Sequence, residues 1–535
     1  MKKLIKYTLV GIAALGLYGC EDQLDRYPKD KLTPDKFFRN EQECQLYTND
    51  FYTMFPSAGS IYGETADIIA KTTLTSEVLS NRTVTATAST WKWEKLRDIN
   101  FFLQHSSNCP DERVRLEYEG LARFFRAWFY FEKVKYYGDV PWVDRPIDAS
   151  DPLLFEKGRD PRELVMQKVV EDLDFAILHL PAEKSVYRVT RWTALALKSR
   201  ACLFEGTFRK YHGSDGYESY LTACATASKR FIDESGYGIY TTGSTPYLNL
   251  FSSLKALDTE IVLARAYNTS IGLKHDVNGY LTSITMGRPG LLKNIADMYL
   301  MKDGTPFTSQ PGWETMQLPD ESKNRDGRFA QTVRTPGYKR IDDDKESAPN
   351  LAATMTGYQL VKFLLPAKYD AYQASTSDMP LFRTAEVYLN YAEAVNEVSG
   401  PQGTAGGLSL TALEAVNKVR NRAGMPDVLD KFTGSAPLLR ERIRNERCVE
   451  LAFEGHHYYH DIRRWKIAPQ TMSQTLTGMY IEKVPVSDEY PCGRRYVRQP
   501  IPNNRQSNWK NAMYYLPFPA AEANKMKNFV NNELW

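Results

Sequence analysis

The stretch NERCVELAFEGHHYYHDIRRW, residues 445–465, combines charge, aromatic rings and helical spacing more densely than any other part of the chain. Cys448 and Ala452 are four residues apart, the spacing that lines apolar side chains along one face of a helix. The pattern therefore predicts a helix that ends near Gly455. Any fold of this chain must place a highly charged helix next to a cluster of aromatic residues.

A row of glutamates runs along the predicted helix at four-residue spacing: Glu446, Glu450 and Glu454. Like charges at this spacing destabilise a helix unless cations lie beside them. The cations that we expect to pair with the row are Arg442, Arg447, Arg463 and Arg464. We interpret the row as a structural network of ion pairs, with acid/base chemistry or metal binding as the alternative. The same interpretation applies to His456 and His460, which are also four residues apart.

Several segments of the chain resemble motifs of one protein family. The stretch 445–465 resembles the signature near the C-terminal end of SusD/RagB proteins. RLEYEGLARFFRAWFYFEKVKYYGDVPWV, which begins at Arg115, resembles the family's RAxxYFxLxxxYGDVP element. DMPLFRTAEVYLNYAEA, which begins at Asp378, resembles its RxAEVxLxYAEA helix, and YYLPFPAAE resembles a closing motif. The resemblance thus spans nearly the whole chain.

Charge and cysteine content exclude some classes of function. The 535 residues include 68 basic and 65 acidic side chains, a net charge of +3. Such a balance creates no broad positive field, so we expect no nucleic-acid partner. The seven cysteines show no CxxC pair and no Cys/His spacing suited to zinc. We therefore expect neither a metal site nor a disulfide framework.

The N-terminus has the pattern of an export signal. Lys2, Lys3 and Lys6 precede a short apolar run that is too brief to span a bilayer. The run ends in Leu-Tyr-Gly-Cys, which resembles a bacterial lipobox, so we expect cleavage of residues 1–19 and covalent lipid (palmitate among its acyl chains) on Cys20. Residues 20–36 would form the lipidated N-terminus and a tether. Glu21 and Asp22 resemble the acidic signal for display on the cell surface.

Helical periodicity predicts a mainly α fold: a TPR-like superhelix of helix pairs with a loop-rich irregular lobe that contains a few short strands. We predict one domain over residues 37–535, with helices over about 34–235 and 381–465. Within the first range, one helix is predicted from Thr190 to Gly206 and another from Tyr217 to Glu234. The irregular lobe covers about 236–380, where glycine and proline recur, together with the loop 55–93. The segment from Arg115 to Tyr137 is apolar around most of its circumference, which indicates a buried helix.

No motif for catalysis was found in the sequence. GxSxG, HExxH, Walker A and GxGxxG patterns are all missing. A glycosidase needs only two carboxylates close in space, which a sequence pattern does not reveal. We predict a protein that is not an enzyme and that carries no cofactor beyond its lipid, with a lipid-anchored glycoside hydrolase as the alternative of another class.

The family resemblance implies a function in nutrient uptake. It implies a lipoprotein of the outer membrane, exposed at the cell surface, that captures oligosaccharides for polysaccharide utilisation. It also implies delivery of the ligand to a SusC-like, TonB-dependent transporter in the same membrane. The RagB branch of the family makes a peptide ligand the alternative within the binding class.

We predict a ligand site on the irregular side, because a sugar ring presents an apolar face that stacks on exposed aromatic rings. The predicted stacking residues are Trp91, Tyr267, Tyr280 and Trp313. Glu77 and Arg82 are the predicted polar partners, and the family resemblance implies acidic and basic contacts there. Trp93 begins a helical run and is predicted to pack inside.

Overall fold

A computed structural model describes residues 37–535 except 64–67, 148–150, 153–155, 406, 408, 492 and 502–508. The predicted signal peptide, Cys20 and the tether up to residue 36 lie outside the described residues. All structural statements below concern the described part of the chain.

Helices dominate the described residues. Ten of them have eight or more residues and are labelled α1 to α10 in chain order: Glu41–Thr48, Glu94–His105, Glu112–Tyr137, Arg162–His179, Arg191–His212, Tyr217–Glu234, Thr384–Ser399, Ala412–Arg422, Ala436–Glu450 and His457–Arg464. Shorter helices are Ala58–Tyr62, Ser76–Leu79, Pro246–Ser252, Val277–Thr282, Lys293–Ala296, Leu318–Glu321, Gly327–Thr332, Ala468–Thr471 and Ala520–Ala523. The 3₁₀ turns are Asn49–Met54, Ser106–Asn108, Thr269–Ile271, Phe307–Ser309, Leu351–Ala353, Ala367–Tyr369, Asp430–Phe432 and Asn511–Tyr514.

The strands are short and pair two by two. Strands β1 to β6 are Ile69–Ala70, Ile261–Arg265, Gly290–Leu291, Met379–Arg383, Thr477–Lys483 and Arg494–Pro500. They form three antiparallel pairs: β1 with β3, β2 with β4, and β5 with β6. The predicted fold class, mainly α with a few short strands, is confirmed.

Successive helices pack side by side to form the superhelix. Each of α2 to α6 packs against the next helix, and α7 packs against both α8 and α9. Helix α3 lies at the centre of the larger core, where Phe125, Ala127 and Tyr130 are fully buried. Asp111 caps its first turn by accepting from the Val114 amide, and Gly138 ends it with a φ of 73°. The buried helix predicted for this segment is confirmed.

Helix α5 runs past Gly206, where the sequence predicts its end. Gly206 lies inside the helix and faces Leu221 of α6. A Cβ at Gly206 would lie only 2.8 Å from the Leu221 side chain, so glycine permits the two helices to approach closely. The glycine therefore marks a helix contact and not a helix end.

The irregular lobe is inserted between two helices that touch. Helix α6 ends at Glu234 and α7 begins at Thr384, yet the two pack against each other. The chain enters the lobe through β2 and leaves it through β4, and these strands pair antiparallel. The lobe thus begins and ends at one place on the helical scaffold.

The glutamate row is the centre of a buried ion-pair network. The helix predicted to end near Gly455 ends at Glu450, because the backbone leaves the helical conformation before Phe453, whose φ is 64°. Glu446 and Glu450 therefore lie on α9, and Glu454 lies in the turns that follow it. Arg328 Nη1 donates to Glu446 Oε1 at 2.5 Å and to Glu450 Oε2 at 2.8 Å. Arg383 Nε donates to Glu454 Oε2 at 2.6 Å. Lys362, Arg420 and Arg422 complete the set of cations around the row. The network predicted from the sequence therefore exists as a structural feature.

The partners predicted for the row were wrong. Arg447 and Arg464 lie close to the row in sequence, but both pair with Asp461 and Glu393. Arg442 lies over the ring of Phe432. The cations that bind the row come from the lobe and from α8 because the row faces these elements. Sequence proximity did not identify them.

Candidate functional site

The six predicted site residues do not form one cluster. Their positions fall into three groups: two rings in the core, an ion pair within the loop 55–93, and two half-buried rings on the lobe. The residues are Trp91, Tyr267, Glu77, Arg82, Tyr280 and Trp313.

Trp91 lies in the core. Its side chain is 8% exposed, and its ring centroid lies 4.8 Å from that of Tyr137 and 4.9 Å from that of Phe518. Trp93, predicted to be inside, is half-buried and lines a surface cavity beside Trp91. The prediction that Trp91 is an exposed stacking residue is therefore wrong, because helical spacing gives no side-chain direction for the irregular residues before α2. Trp93 packs against Phe129 and Tyr130 of the core, as the sequence predicts.

Tyr267 is also a core residue. Its side chain is 6% exposed, its hydroxyl accepts from the Ala58 amide at 2.7 Å, and its ring meets the edge of His275 at 4.6 Å. Burial raises the pKa of the Tyr267 hydroxyl. The ring anchors the loop 55–93 to the lobe from the inside, and a ligand has no stacking face there.

Glu77 and Arg82 form an ion pair with each other. They line a pocket with Tyr459, Arg463 and Trp535, between the loop 55–93 and the C-terminal segment. Burial lowers the pKa of the Arg82 guanidinium. The structure thus brings the two predicted polar residues together, but it places them beside the 445–465 stretch and not beside Trp91.

Tyr280 is one of the two predicted aromatic residues that are half-buried on the lobe. It is half-buried, its ring centroid lies 5.2 Å from that of Tyr62, and Lys71 Nζ lies 5.8 Å from the ring. Tyr62 and Lys71 belong to the loop 55–93, so the loop and the lobe meet at this ring. We call Lys71, Tyr280, Gly287, Arg288 and Tyr480 the Tyr280 surface.

A strained turn supports the Tyr280 surface. Gly287 and Arg288 have φ values of 75° and 50°, and the left-handed region is costly for arginine. A Cβ on Gly287 would lie 3.5 Å from the Tyr280 ring. Strain of this kind persists only where surrounding contacts impose it, and it concentrates at functional sites.

The same turn connects Tyr280 with a second ring. The Arg288 carbonyl accepts from the Met355 amide at 2.9 Å, and the Met355 carbonyl accepts from the Tyr480 hydroxyl at 2.8 Å. Tyr480 is half-buried on β5. The surface therefore combines two aromatic rings with the basic side chains of Lys71 and Arg288, a composition that suits a ligand with apolar faces and hydroxyl groups.

Trp313 lies on another part of the lobe. Its half-buried ring has Lys293 Nζ at 5.6 Å and the Arg498 guanidinium at 5.1 Å. Phe307 packs on it at 6.3 Å. Cations thus lie over the Trp313 ring.

Sequence reasoning missed Lys71, Tyr480 and Tyr372. Tyr372 is 79% exposed on a turn that contacts the helix of Tyr280, because the Gln373 amide donates to Asp276 just before that helix. A tyrosine next to polar, turn-forming residues was the one available signal. It applies to many of the 33 tyrosines and therefore does not single these out.

Within the described residues, no group of three or more His, Cys, Asp and Glu side chains could hold a metal ion. Among the described helices, none is long and apolar enough to cross a membrane.

The scaffold and its inserted lobe define a class of helical proteins in which a TPR-like superhelix carries an irregular lobe. Residues 266–535 match the sequence profile of the SusD family, and residues 44–203 match a profile described as starch-binding associating with outer membrane. The first match covers half of the chain, so the protein belongs to the SusD family.

Two proteins of Formosa agariphila are similar over most of their length. SusD-like protein P25 is 24% identical over 505 residues, 84% of this chain and 88% of that protein. SusD-like protein P2 is 25% identical over 510 residues, 87% of this chain and 91% of that protein.

Solved structures share the fold at low sequence identity. A SusD-like protein of Bacteroides fragilis has a TM-score of 0.75 and 22% identity, over 95% of this chain and 100% of that one. A SusD-like carbohydrate-binding protein of the same species has a TM-score of 0.71 and 21% identity, over 92% and 99%. A laminarin-binding SusD-like protein has a TM-score of 0.58 and 19% identity, over 93% and 100%.

Proposed function

We propose that the protein binds glycans at the cell surface and passes them to a SusC-like, TonB-dependent outer-membrane transporter. The observation that carries the proposal is the Tyr280 surface, where Lys71 lies over the half-buried Tyr280 ring and the strained turn at Gly287 and Arg288 links this ring to that of Tyr480. Family membership supports it, as does the profile described as starch-binding associating with outer membrane. One structurally similar protein is a laminarin binder.

The chemistry of the surface suits a sugar. The faces of a pyranose ring carry C–H groups that stack on an aromatic ring, and its hydroxyls need fixed polar partners. Tyr280 would provide the stacking face, and Lys71 and Arg288 would donate to hydroxyl or acidic groups at its edge. Trp313 and the exposed Tyr372 would contact further units of an extended ligand.

Titration calorimetry with a panel of oligosaccharides tests the binding site. Tyr280→Ala should weaken binding by about 1–3 kcal/mol, the effect of truncating an aromatic anchor. The matched control is Tyr217→Ala, because Tyr217 lies at the start of α6 on the scaffold. Undiminished affinity of a folded Tyr280→Ala variant would contradict the proposed site.

Two alternative functions predict different results with the same panel of glycans. A RagB-like peptide binder would bind peptides and none of the glycans, with the Tyr280→Ala effect preserved. A glycoside hydrolase would release new reducing ends from the glycan panel. Binding without such release supports a binding protein, whereas steady release would contradict it.

We also propose that covalent lipid on Cys20 anchors the protein in the outer membrane. Labelled palmitate fed to cells should enter the wild-type protein and not a Cys20→Ala variant. Isolation of the native protein in mild detergent should recover a large outer-membrane β-barrel partner. Unchanged labelling of the variant would contradict the anchor, and repeated isolation without a β-barrel partner would contradict delivery to a transporter.

A further inference from the structure

A small cavity lies at the start of helix α10, within the 445–465 stretch. Its volume is about 40 Å³, and its walls belong to the helices α3, α5, α7, α9 and α10. A water molecule needs about 10–15 Å³ of such space, so the cavity admits about three water-sized groups. A sugar ring is much larger. Any ligand of this cavity is therefore small and distinct from the glycan proposed for the Tyr280 surface.

The side chains that line the cavity carry more positive than negative charge. Four of them are cations: Lys135, Arg200, Arg447 and Arg464. Among the described lining residues, Asp461 is the one carboxylate. Its Oδ1 accepts from Arg464 Nε at 2.8 Å, and its Oδ2 accepts from Arg447 Nε at 3.3 Å. Two of the cations therefore hold Asp461, and Lys135 and Arg200 are the two that a ligand can engage.

Lys135 and Arg200 retain hydrogen-bond donors for a further partner. Lys135 Nζ lies 2.7 Å from Glu132 Oε1, and an ammonium group carries three N–H bonds. Arg200 donates to Glu386 from Nε and Nη2 at 2.6 Å each, which leaves Nη1 for another acceptor. Neither glutamate is among the described residues that line the cavity. The cations therefore lie closer to the cavity than the carboxylates that pair with them.

His460 adds an unpartnered polar atom beside the cavity. The residue lines the cavity and is 7% exposed, and its ring centroid lies 5.1 Å from those of both Tyr136 and Tyr459. Within the described part of the chain, its buried Nδ1 has no hydrogen-bond partner. Buried polar atoms are nearly always paired with protein, with water or with an ion. The imidazole therefore points to a ligand that the protein itself does not supply.

The start of α10 adds a partial positive charge. Gly455 and His457 line the cavity, and the N-cap residue His456 makes no capping hydrogen bond with its side chain. Gly455 and His456 have φ values of 99° and 65°, and the left-handed region is costly for histidine. The amide groups at a helix N-terminus favour an anion. The helix start and the cations of the walls thus favour the same kind of ligand.

We propose that this cavity binds a monatomic anion of the size of chloride. Lys135 and Arg200 provide charge and N–H donors, and the neutral His460 ring donates through the nitrogen that carries its proton. Space for about three water-sized groups excludes a tetrahedral oxyanion, which has five heavy atoms. The site is independent of the proposed glycan function.

The anion would join three helices of the scaffold. Lys135 belongs to α3, Arg200 to α5 and His460 to α10. A ligand that binds the folded protein and not the unfolded chain raises stability as its concentration increases. Chloride should therefore stabilise the scaffold around the 445–465 stretch.

Crystals of the purified protein grown in sodium bromide test the proposal directly. Bromide is close to chloride in size, and its anomalous X-ray scattering locates it. We expect an anomalous peak in the cavity, within hydrogen-bond distance of Lys135 and Arg200. A cavity without such a peak, in crystals that bind bromide elsewhere, would overturn the proposal.

Thermal unfolding tests the site in solution. The Tm in sodium chloride should exceed the Tm in sodium gluconate at the same ionic strength by a few degrees, because gluconate is too large for the cavity. Lys135→Met should remove most of this difference. The matched control is Lys198→Met, which removes a cation of α5 that pairs with the exposed Asp174 and should keep the difference.

Two results of the unfolding experiment would contradict the site. One is an equal Tm of the wild type in the two salts, and the other is an equal salt difference in the two variants. If Lys135→Met does not fold, the bromide crystals of the wild type decide.

Discussion

Arg383 Nη1 lies 2.9 Å from Glu450 Oε1, although 67 positions separate the two residues in the chain. The same nitrogen donates to Glu260 Oε1 at 2.6 Å, so one guanidinium joins both strands at the base of the lobe to helix α9. Burial alone would raise the pKa of the Glu450 carboxyl, but Arg422, Arg383 and Arg328 hold it well below its usual range. The lobe is thus attached to the scaffold through buried charge.

Breaking this contact should be strongly destabilising. Glu450→Gln removes one charge partner from three buried arginines, Arg328, Arg383 and Arg422, so we expect a loss of about 3–5 kcal/mol in the free energy of unfolding. Urea denaturation followed by circular dichroism measures it. Asp233→Ala, which removes an exposed pair with Lys229 on α6, should cost less than about 1 kcal/mol. Equal losses in the two variants would contradict the role of the network.

Mild acid should destabilise the fold through His460. Burial, together with Lys135 and His456, holds the pKa of His460 well below 6.5. As the pH falls, His460 therefore gains its additional proton at a higher pH in the unfolded chain than in the folded protein. The stability that the neutral, buried histidine contributes is fully present above pH 6.5 and is lost as the pH falls below 6.5. The free energy of unfolding should fall by up to about 1.4 kcal/mol per pH unit for this group. Unfolding measured between pH 7 and pH 5 should show a smaller slope for His460→Phe than for His179→Gln at the end of α4.

Lys133 should make the stability depend on pH in a second range, at alkaline pH. Its Nζ donates to the carbonyls of Thr90 at 2.5 Å and Lys92 at 2.9 Å, and burial lowers its pKa to about 7. The unfolded chain keeps the proton up to a higher pH, so stability rises as the pH increases above 7. We expect a gain of up to about 1.4 kcal/mol per unit for this group. Lys133→Met should remove the rise in unfolding experiments between pH 7 and 9, and an unchanged rise would contradict the assignment.

The contact between α5 and α6 should not tolerate a methyl group. Gly206→Ala would place a Cβ 2.8 Å from Leu221, and overpacking of this kind costs about 1–3 kcal/mol. Gly238→Ala is the matched control, because a Cβ at that position meets nothing within 4 Å. Thermal unfolding of both variants measures the difference, and equal Tm values would show that the helices can separate without cost.

Trp91→Ala should act on stability, in contrast to Tyr280→Ala. Trp91 is enclosed by Tyr137, Phe518 and Phe529, so its truncation leaves a cavity that costs about 3–5 kcal/mol. Tyr280 is half-buried on the lobe, and its truncation should lower the Tm much less. Chemical unfolding of the two variants compares them. A stable Trp91→Ala variant that has lost ligand binding would return Trp91 to the candidate site.

Helical elements could be predicted from the sequence to within a few residues. The segment from Tyr217 to Glu234 forms a helix with those bounds, and the buried helix predicted over 115–137 is α3. Apolar periodicity is a local property, so it identifies helices well. The predicted end of α5 was wrong, because a glycine at a helix contact, such as Gly206, cannot be told from a glycine at a helix end by the local sequence.

The candidate site was predicted only in part, for a physical reason. Which face of Trp91 or Tyr267 is covered depends on residues more than 40 positions away, such as Tyr137 and Ala58. The cations around Glu450 likewise come from distant elements. Local sequence carries no record of such contacts. Glu77 and Arg82 were chosen as polar ligand partners partly from the family resemblance, and their ion pair with each other is seen only in the structure.

The chain enters and leaves the lobe through one strand pair, β2 and β4. This arrangement has a consequence for evolution. Helices α6 and α7 touch each other directly, so substitutions, insertions and even exchange of the lobe between relatives leave the scaffold's own contacts intact. Four charges restrict such an exchange. Arg328, Lys362 and Arg383 pair with the glutamate row, and Glu260 pairs with Arg383 and with Arg422 of α8. A chimaeric protein that keeps these four side chains should fold around a foreign lobe and take over the donor's ligand preference.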